Sequence, residues 1–360
     1  MAAPRTASAG VLSKGMGILL RAVGGPSRIE YLRTHFEPEK YGTATVAALS
    51  QPRPRGRLWA RLGIQAPGMF ELRHLARGIN PRTGENLTAR HNGRNAHQSR
   101  TAFLSLVFTA PKSLSIMSEI AGDTRIRGAF RESAELSLTQ MEPLAGFRVR
   151  KRGAPDLNRH RATGEMAWLT RLETDSRHSD PHLHVHVEIF NATWDSGDSQ
   201  KPFKALNAWP LFQRQRELAR EFHAELATRI ERLGHAVEWA GDSFEIVGVE
   251  QELIERFSTG RRRIQERQEQ SAGPRNEIVA GISWPKKRRR SPEELSQHWR
   301  WRVTSEELAV LVELKRLALQ GRYGARIQPP QPEVAMPLHE PSLPRRAKDS
   351  PAWLAVSPEI

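Results

Sequence analysis

The segment Pro181-His182-Leu183-His184-Val185-His186 alternates polar and apolar residues, and the apolar series continues through Val187 and Ile189. Successive side chains of a strand point to opposite faces. His182, His184 and His186 therefore share one face, while Leu183, Val185, Val187 and Ile189 point into a core. Three imidazoles on one face build packing poorly and suit a divalent metal well. Residues two apart on a strand lie about 6.6–6.8 Å apart, and residues four apart about twice that. A Zn–N bond is only about 2.0–2.1 Å long. Adjacent histidines can thus share one ion, whereas His182 and His186 are too far apart. The third ligand has to come from a neighbouring element, and Glu173 on the preceding strand is the best placed. A solvated, histidine-rich strand is the alternative.

The rest of the composition narrows the chemistry. The chain has no cysteine, which excludes disulfides and thiolate metal sites and leaves His and carboxylate ligands. Lys plus Arg number 55 against 40 for Asp plus Glu, a net charge of +15. Such an excess favours a polyanionic partner, of which nucleic acid is the commonest, over a merely basic surface. No stretch approaches the ~20 apolar residues of a membrane span. The apolar run Met16–Leu20 is too short for a signal-peptide core, so no membrane partner and a cytoplasmic location are expected. No phosphate-cradling glycine loop ending in Lys-Ser or Lys-Thr is present, so no ATP-driven motor is expected.

The pattern along the chain predicts an α+β fold. Residues 1–15 read as a flexible start, 16–305 as the main domain, 306–324 as a short helix and 325–360 as a Pro-rich disordered tail. Strands are expected at Met16–Val23, Ala102–Phe108, Glu165–Thr174 and Leu183–Asn191, the last two antiparallel across a polar turn. Helices are expected over about Asp123–Glu142, Ala208–Leu233 and Glu250–Glu269, and a β-hairpin around Gly241-Asp242. Pro52, Pro54 and Gly56 are expected to break regular structure.

Several segments, in order, carry a resemblance. Glu173-Thr174-Asp175-Ser176-Arg177, followed by Asp180-Pro181-His182-Leu183-His184-Val185-His186, resembles the metal motif of MobF-type (TrwC/TraI-like) conjugative relaxases. Phe108-Thr109-Ala110-Pro111-Lys112-Ser113-Leu114-Ser115 resembles that family's Phe-Ser-Ala-Pro-Lys-Ser-Val-Ser. Residues Phe244–Glu266 and the Arg/Lys-rich stretch before Ser291, Leu295 and Trp299 resemble later blocks. The resemblance implies the His-hydrophobe-His palm, an antiparallel sheet with flanking helices and a mobile C-terminal segment. It implies a tyrosine that attacks a phosphodiester of single-stranded DNA at an origin-like hairpin, leaving a 5′-phosphotyrosine link, for conjugative mobilisation. Conjugation accessory or coupling proteins are implied partners, and the helicase domain of large members is not expected here.

The resemblance also assigns residues. Of the three tyrosines, Tyr31 matches the first catalytic tyrosine and Tyr41 more weakly the second; Tyr323 lies in the tail. The family's first histidine ligand aligns with Glu173, a carboxylate that favours Mg²⁺ or Mn²⁺ over Zn²⁺ or Ni²⁺. Its acid that orients a metal histidine aligns with Ser105, which can accept an imidazole N–H without balancing its charge. Lys112 and Arg177 are candidate phosphate contacts. Lys286, Lys287, Arg288, Arg289 and Arg290 form a basic run suited to a phosphate backbone, as does Arg261-Arg262-Arg263. Trp284, Trp299 and Trp301 interleave with these runs and could stack bases, although core packing is the expected role. A degenerate relaxase-like DNA-binding protein, or a metal-dependent hydrolase without tyrosine chemistry, would share many of these features.

Overall fold

The computed structural model describes residues 53–87, 101–149, 159–270, 282, 283, 285 and 290–321, together with the backbone of 18–24. The described residues include a five-stranded antiparallel sheet in the order β1 (Ile18–Gly24), β3 (Thr101–Thr109), β7 (Pro181–Phe190), β6 (Trp168–Asp175) and β2 (Arg53–Arg55). The histidine strand β7 is central, hydrogen-bonded to β3 in an unbroken register and to β6 in a register that shifts only between Glu173 and Asp175. β2 corrects the expectation of irregular chain over Pro52–Gly56. Pro54 cannot donate to a ladder, and an edge strand is where a sheet tolerates proline.

The two faces of this sheet differ. Leu104, Leu106 and Phe108 of β3 and Leu183, Val185, Val187 and Ile189 of β7 join one large apolar core. The long helices α4 (Arg125–Met141) and α5 (Trp209–Arg232) cover much of that face. Along α5 the buried residues Leu218, Phe222, Leu226 and Ile230 recur every four positions, the spacing of one helical face. Phe222 meets Phe108 of the sheet at 4.9 Å and Phe130 of α4 at 5.9 Å between ring centroids. Gly234 closes α5 with φ 93°, and a Cβ there would run into the Ala318 carbonyl.

Among the described residues, the other face is capped at one end only. Helices α1 (Arg57–Arg61) and α2 (Met69–Arg77), absent from the sequence reading, close that end through a smaller core with Phe103, Leu169 and Phe190. The remaining end stays polar. The segment expected as one helix over Glu250–Glu269 divides into α6 (Gln251–Arg256) and α7 (Thr259–Gln270). Phe257 is buried at the break, and the first N–H of α7 is taken by the Asp180 carboxylate (3.0 Å). Then come α8 (Pro292–Arg300) and α9 (Ser305–Leu319), each opened by a reciprocal capping box, Ser291 with Glu294 and Thr304 with Glu307. Leu295, Trp299, Leu311 and Leu314 seat them in the large core. α3 (Lys112–Glu119), the hairpin β4–β5 (Gly146–Val149, Arg159–Ala162), the ribbon β8–β9 (Thr193–Trp194, Phe203–Lys204) and the hairpin β10–β11 (Val237–Ala240, Ser243–Ile246) complete the described elements. No described helix is long and apolar enough to cross a membrane.

Asp123 ties the two large helices together. Its carboxylate accepts from Arg125 at the start of α4 (2.6 and 2.8 Å) and meets His235 Nε2 just beyond α5 (2.9 Å). Burial alone would raise its pKa, but the hydrogen bonds from Arg125 and His235 outweigh this and hold it well below the usual carboxylate range. A carboxyl depressed in the folded state stabilises above its unfolded pKa, and that stabilisation is lost as pH falls through the folded value. Asp123→Asn should therefore cost about 3 kcal/mol at pH 7. In urea titrations the gap between variant and parent should narrow steadily below about pH 4; a gap independent of pH would refute this role.

Candidate metal centre

The polar end of the open sheet face is built by the β6–β7 register. Glu173 pairs with His184 and Arg171 with His186. Side chains of paired residues project to the same face, so Glu173, His184 and His186 converge. One ligand atom from each lies within 4.8 Å of the others. The Glu173 carboxylate oxygens are 3.4 Å from His184 Nε2 and 3.7 Å from His186 Nε2. Arms of about 2.1 Å meeting at a tetrahedral angle hold neighbouring donors about 3.4 Å apart. The spacing thus fits an ion.

The tautomer of His184 fits as well. Its Nδ1 lies 2.9 Å from the His182 carbonyl. A carbonyl only accepts, so Nδ1 must donate, and the Nε2 lone pair is directed at the cluster. The rings of His184 and His186 stand edge to face at 4.8 Å, while the His182 ring stacks on His184 at 4.9 Å. His182 thus packs against His184 and lies outside the Glu173–His184–His186 cluster.

A buried charged row lies between this cluster and the small core. The side chain of Arg171 is 4% exposed and donates to Glu173 Oε1. Glu188, next along the same face of β7, is fully buried and accepts from Ser105 across the strand pair (3.1 Å). Ser105 therefore departs from the expected role: its hydroxyl holds Glu188 instead of a metal histidine. Sequence reasoning missed Arg171 and Glu188. Both interrupt otherwise apolar strands, which was the available signal.

The turn that feeds β7 is braced from the C-terminal side. Asp180 is 2% exposed and accepts from Thr259 N (3.0 Å) and Arg302 Nη1 (2.8 Å). Trp299 Nε1 donates to the Ser179 carbonyl (2.7 Å), and Ser179 adopts a left-handed φ of 58°. Arg302 also lies over the Phe257 ring at 4.4 Å. Beside this brace opens a cleft of about 310 Å³, lined among others by Lys112, Asp180, His182, Glu245 and Arg261. Lys112 Nζ donates to the Pro181 carbonyl (2.8 Å). Burial lowers its pKa to about 8, against the upward pull of Asp180 and Glu245, and Arg302 adds to the lowering. Lys112 is thus a cation of the cleft wall. Arg177 lies, partly buried, in the β6–β7 turn.

The profile of the TrwC relaxase family matches residues 29–305. The chain belongs to this family. Multifunctional conjugation protein TraI of Escherichia coli is 28% identical over 256 residues, which is 69% of the chain but 14% of TraI. TraI of strain K12 is 27% identical over the same shares. The chain thus spans only a small part of the length of these curated relatives. Two solved structures of the conjugative relaxase TrwC with oriT DNA share the fold. A metal-free one has TM-score 0.68 at 23% identity, covering 81% of this chain and 99% of its own. A copper-bound one has TM-score 0.68 at 24% identity, with the same coverage.

Several relaxase assignments lie outside the described residues: Tyr31, Tyr41, Tyr323, Trp284, and Lys286, Lys287, Arg288 and Arg289 of the basic run. Arg290 is described and partly buried ahead of α8. Arg261, Arg262 and Arg263 are exposed on α7. The tryptophans divide: Trp299 is core, as expected, whereas Trp301 corrects the core expectation by standing exposed.

The geometry generates a metal-binding prediction. His184→Ala and His186→Ala should each abolish most Mn²⁺ binding in calorimetric titration, and His182→Ala should have a milder effect. Arg171 holds one oxygen of Glu173 and places a positive charge beside the cluster. Arg171→Gln should therefore tighten Mn²⁺ binding about tenfold, since a nearby cation repels a divalent ion. Weaker binding by a folded Arg171→Gln variant would show that the arginine is needed to hold Glu173 in place.

Proposed function

We propose that the chain nicks single-stranded DNA at an origin of transfer by tyrosine transesterification, for conjugative mobilisation. The observation that carries this reading is the Glu173–His184–His186 cluster at the open end of a relaxase-family sheet, beside a cleft bearing Lys112 and Arg261. TrwC has been captured with a 27-mer comprising the recognition hairpin and the cleavage site, and TraI is by name a conjugation protein. Coupling and accessory proteins of conjugation are the partners this reading requires.

Glu173, His184 and His186 would hold a divalent ion, with Mg²⁺ or Mn²⁺ favoured by the carboxylate. When bound, such an ion would supply a positive charge to polarise a non-bridging phosphate oxygen and offset charge that builds up there. The protein's own groups supply the rest. The His182 carbonyl and ring hold His184 in its ligand tautomer. Arg171 restrains Glu173, leaving Oε2 facing His184. Lys112, cationic at pH 7, and Arg261 add positive charge to the cleft, where a phosphate would sit. The hairpin β4–β5, with Arg148, Arg159 and Arg161 exposed along it, offers a two-stranded basic ribbon of the kind a duplex groove admits. Tyr31 is the proposed nucleophile, with Tyr41 as a second. Its hydroxyl oxygen would bond to phosphorus as the 3′-oxygen leaves, and reversal would reseal the strand.

A second reading rests on the same row of charges. The Arg171–Glu173 pair and the loss of Ser105 to Glu188 would suit a domain that binds DNA without cutting it. Denaturing gels with labelled single-stranded origin DNA and Mn²⁺ separate the two. Cleavage predicts a covalent band that disappears in Tyr31→Phe, is reduced less in Tyr41→Phe, and leaves DNA binding intact. DNA binding without any band in the parent protein would establish the second reading. Binding itself should depend on salt. Neutralising Lys286, Lys287 and Arg288 together should reduce the slope of log affinity against log salt by about 0.7 per lost contact, and an unchanged slope would remove that run from the interface.

A further inference from the structure

Trp299 and Trp301 stand two residues apart at the end of α8 in opposite surroundings. Trp299 is 3% exposed, whereas Trp301 is 87% exposed, the most of any large apolar side chain among the described residues. An indole so exposed adds little to packing. Its place on the backbone is nevertheless anchored, because residues on either side of it are fastened to one turn: Trp299 to the Ser179 carbonyl and Arg302 to the Asp180 carboxylate.

The surroundings of this turn are basic. Arg300 is exposed beside Trp301. Asp180 Oδ1, the oxygen that Arg302 uses, also accepts from Thr259 Oγ1 at the start of α7, and α7 then presents exposed Arg261, Arg262 and Arg263. Gly260 and Arg261 line the cleft together with His182. An exposed aromatic ring on an anchored stretch of backbone and a helix bearing a run of arginines thus both attach to the turn that starts the histidine strand. Flat apolar rings carried on a polyanion are the ligand that this combination fits. Base stacking on aromatic side chains with arginine on the backbone is the general mode of single-strand binding.

We propose that Trp301 is a stacking platform for one nucleobase of the single strand that reaches the cleft. The inference rests on the nucleic-acid reading above and adds a residue and a contact to it. Every base has a π-face, so the platform is tolerant of base identity and fixes where the strand lies rather than what it spells.

The test compares Trp301→Ala, Trp301→Phe and the parent in fluorescence-anisotropy titrations with single-stranded oligonucleotides of origin sequence. A second set of oligonucleotides carries one abasic position, moved along the strand. Trp301→Ala should weaken binding about tenfold, the effect of one lost base stack, with an unchanged melting temperature and an unchanged salt slope. Trp301→Phe should keep most of the affinity. One abasic position should weaken the parent and leave Trp301→Ala indifferent. Parent-like affinity in Trp301→Ala, or equal losses in Trp301→Ala and Trp301→Phe, overturns the platform while leaving the DNA reading in place. A parent protein that binds no single-stranded DNA overturns both.

Discussion

A buried carboxylate, that of Asp180, joins the two halves of the described fold. It stands in the turn that starts the central strand and accepts hydrogen bonds from the first residue of α7 and from Arg302. A carboxylate left without donors there would be costly to bury. Its donors come from segments roughly a hundred residues away in sequence, 79 and 122 positions on. The turn and the C-terminal helices therefore stabilise each other. Because the brace acts one residue before β7 begins, it helps set where His182, and with it the whole histidine face, enters the sheet.

From that start, the site follows from strand pairing. The register placing Glu173 beside His184 also places Arg171 beside His186 and Ser105 beside Glu188. A slip of one residue would turn every one of these side chains to the helix-covered face. The apolar residues of the same strands prevent that slip: Leu183, Val185, Val187 and Ile189 can satisfy the core in only one phase. The packing that stabilises the sheet is thus also what aligns the polar groups on its reverse. Along that reverse face the surroundings change in order, from the small core through the Ser105–Glu188 and Arg171–Glu173 pairs, in which Glu188 and Arg171 are buried, to the cluster and the cleft.

The row also shows how a sheet face accommodates charge. The Glu173 carboxylate is partly buried, and Arg171 lies against it. Glu188 is fully buried, and the Ser105 hydroxyl donates to it from the neighbouring strand. Each carboxylate thus meets a donor, as the low dielectric of a sheet face demands.

Local pattern alone determined much of this protein. Period-two alternation specified β7 and its histidine face, and the spacing of apolar residues at helical positions specified α5. Strand geometry with metal–ligand bond lengths called for one adjacent pair of histidines and a third ligand, for which Glu173 was best placed, and the family resemblance pointed to His184 and His186 as the pair. These features were legible because each depends on neighbours within a turn or on an adjacent strand. Only the tertiary structure decided the rest. Pro54 becomes strand because β6 offers an edge, and the helix expected from Glu250 breaks where Asp180 draws in the N–H of Thr259. Arg171 and Glu188 are buried because partners stand opposite them, and Trp299 is core while Trp301 is solvent because α8 docks on one face. Each of these outcomes depends on a contact between residues distant in sequence. Local propensity carries no information about which distant group will arrive to satisfy a buried charge or an open hydrogen bond.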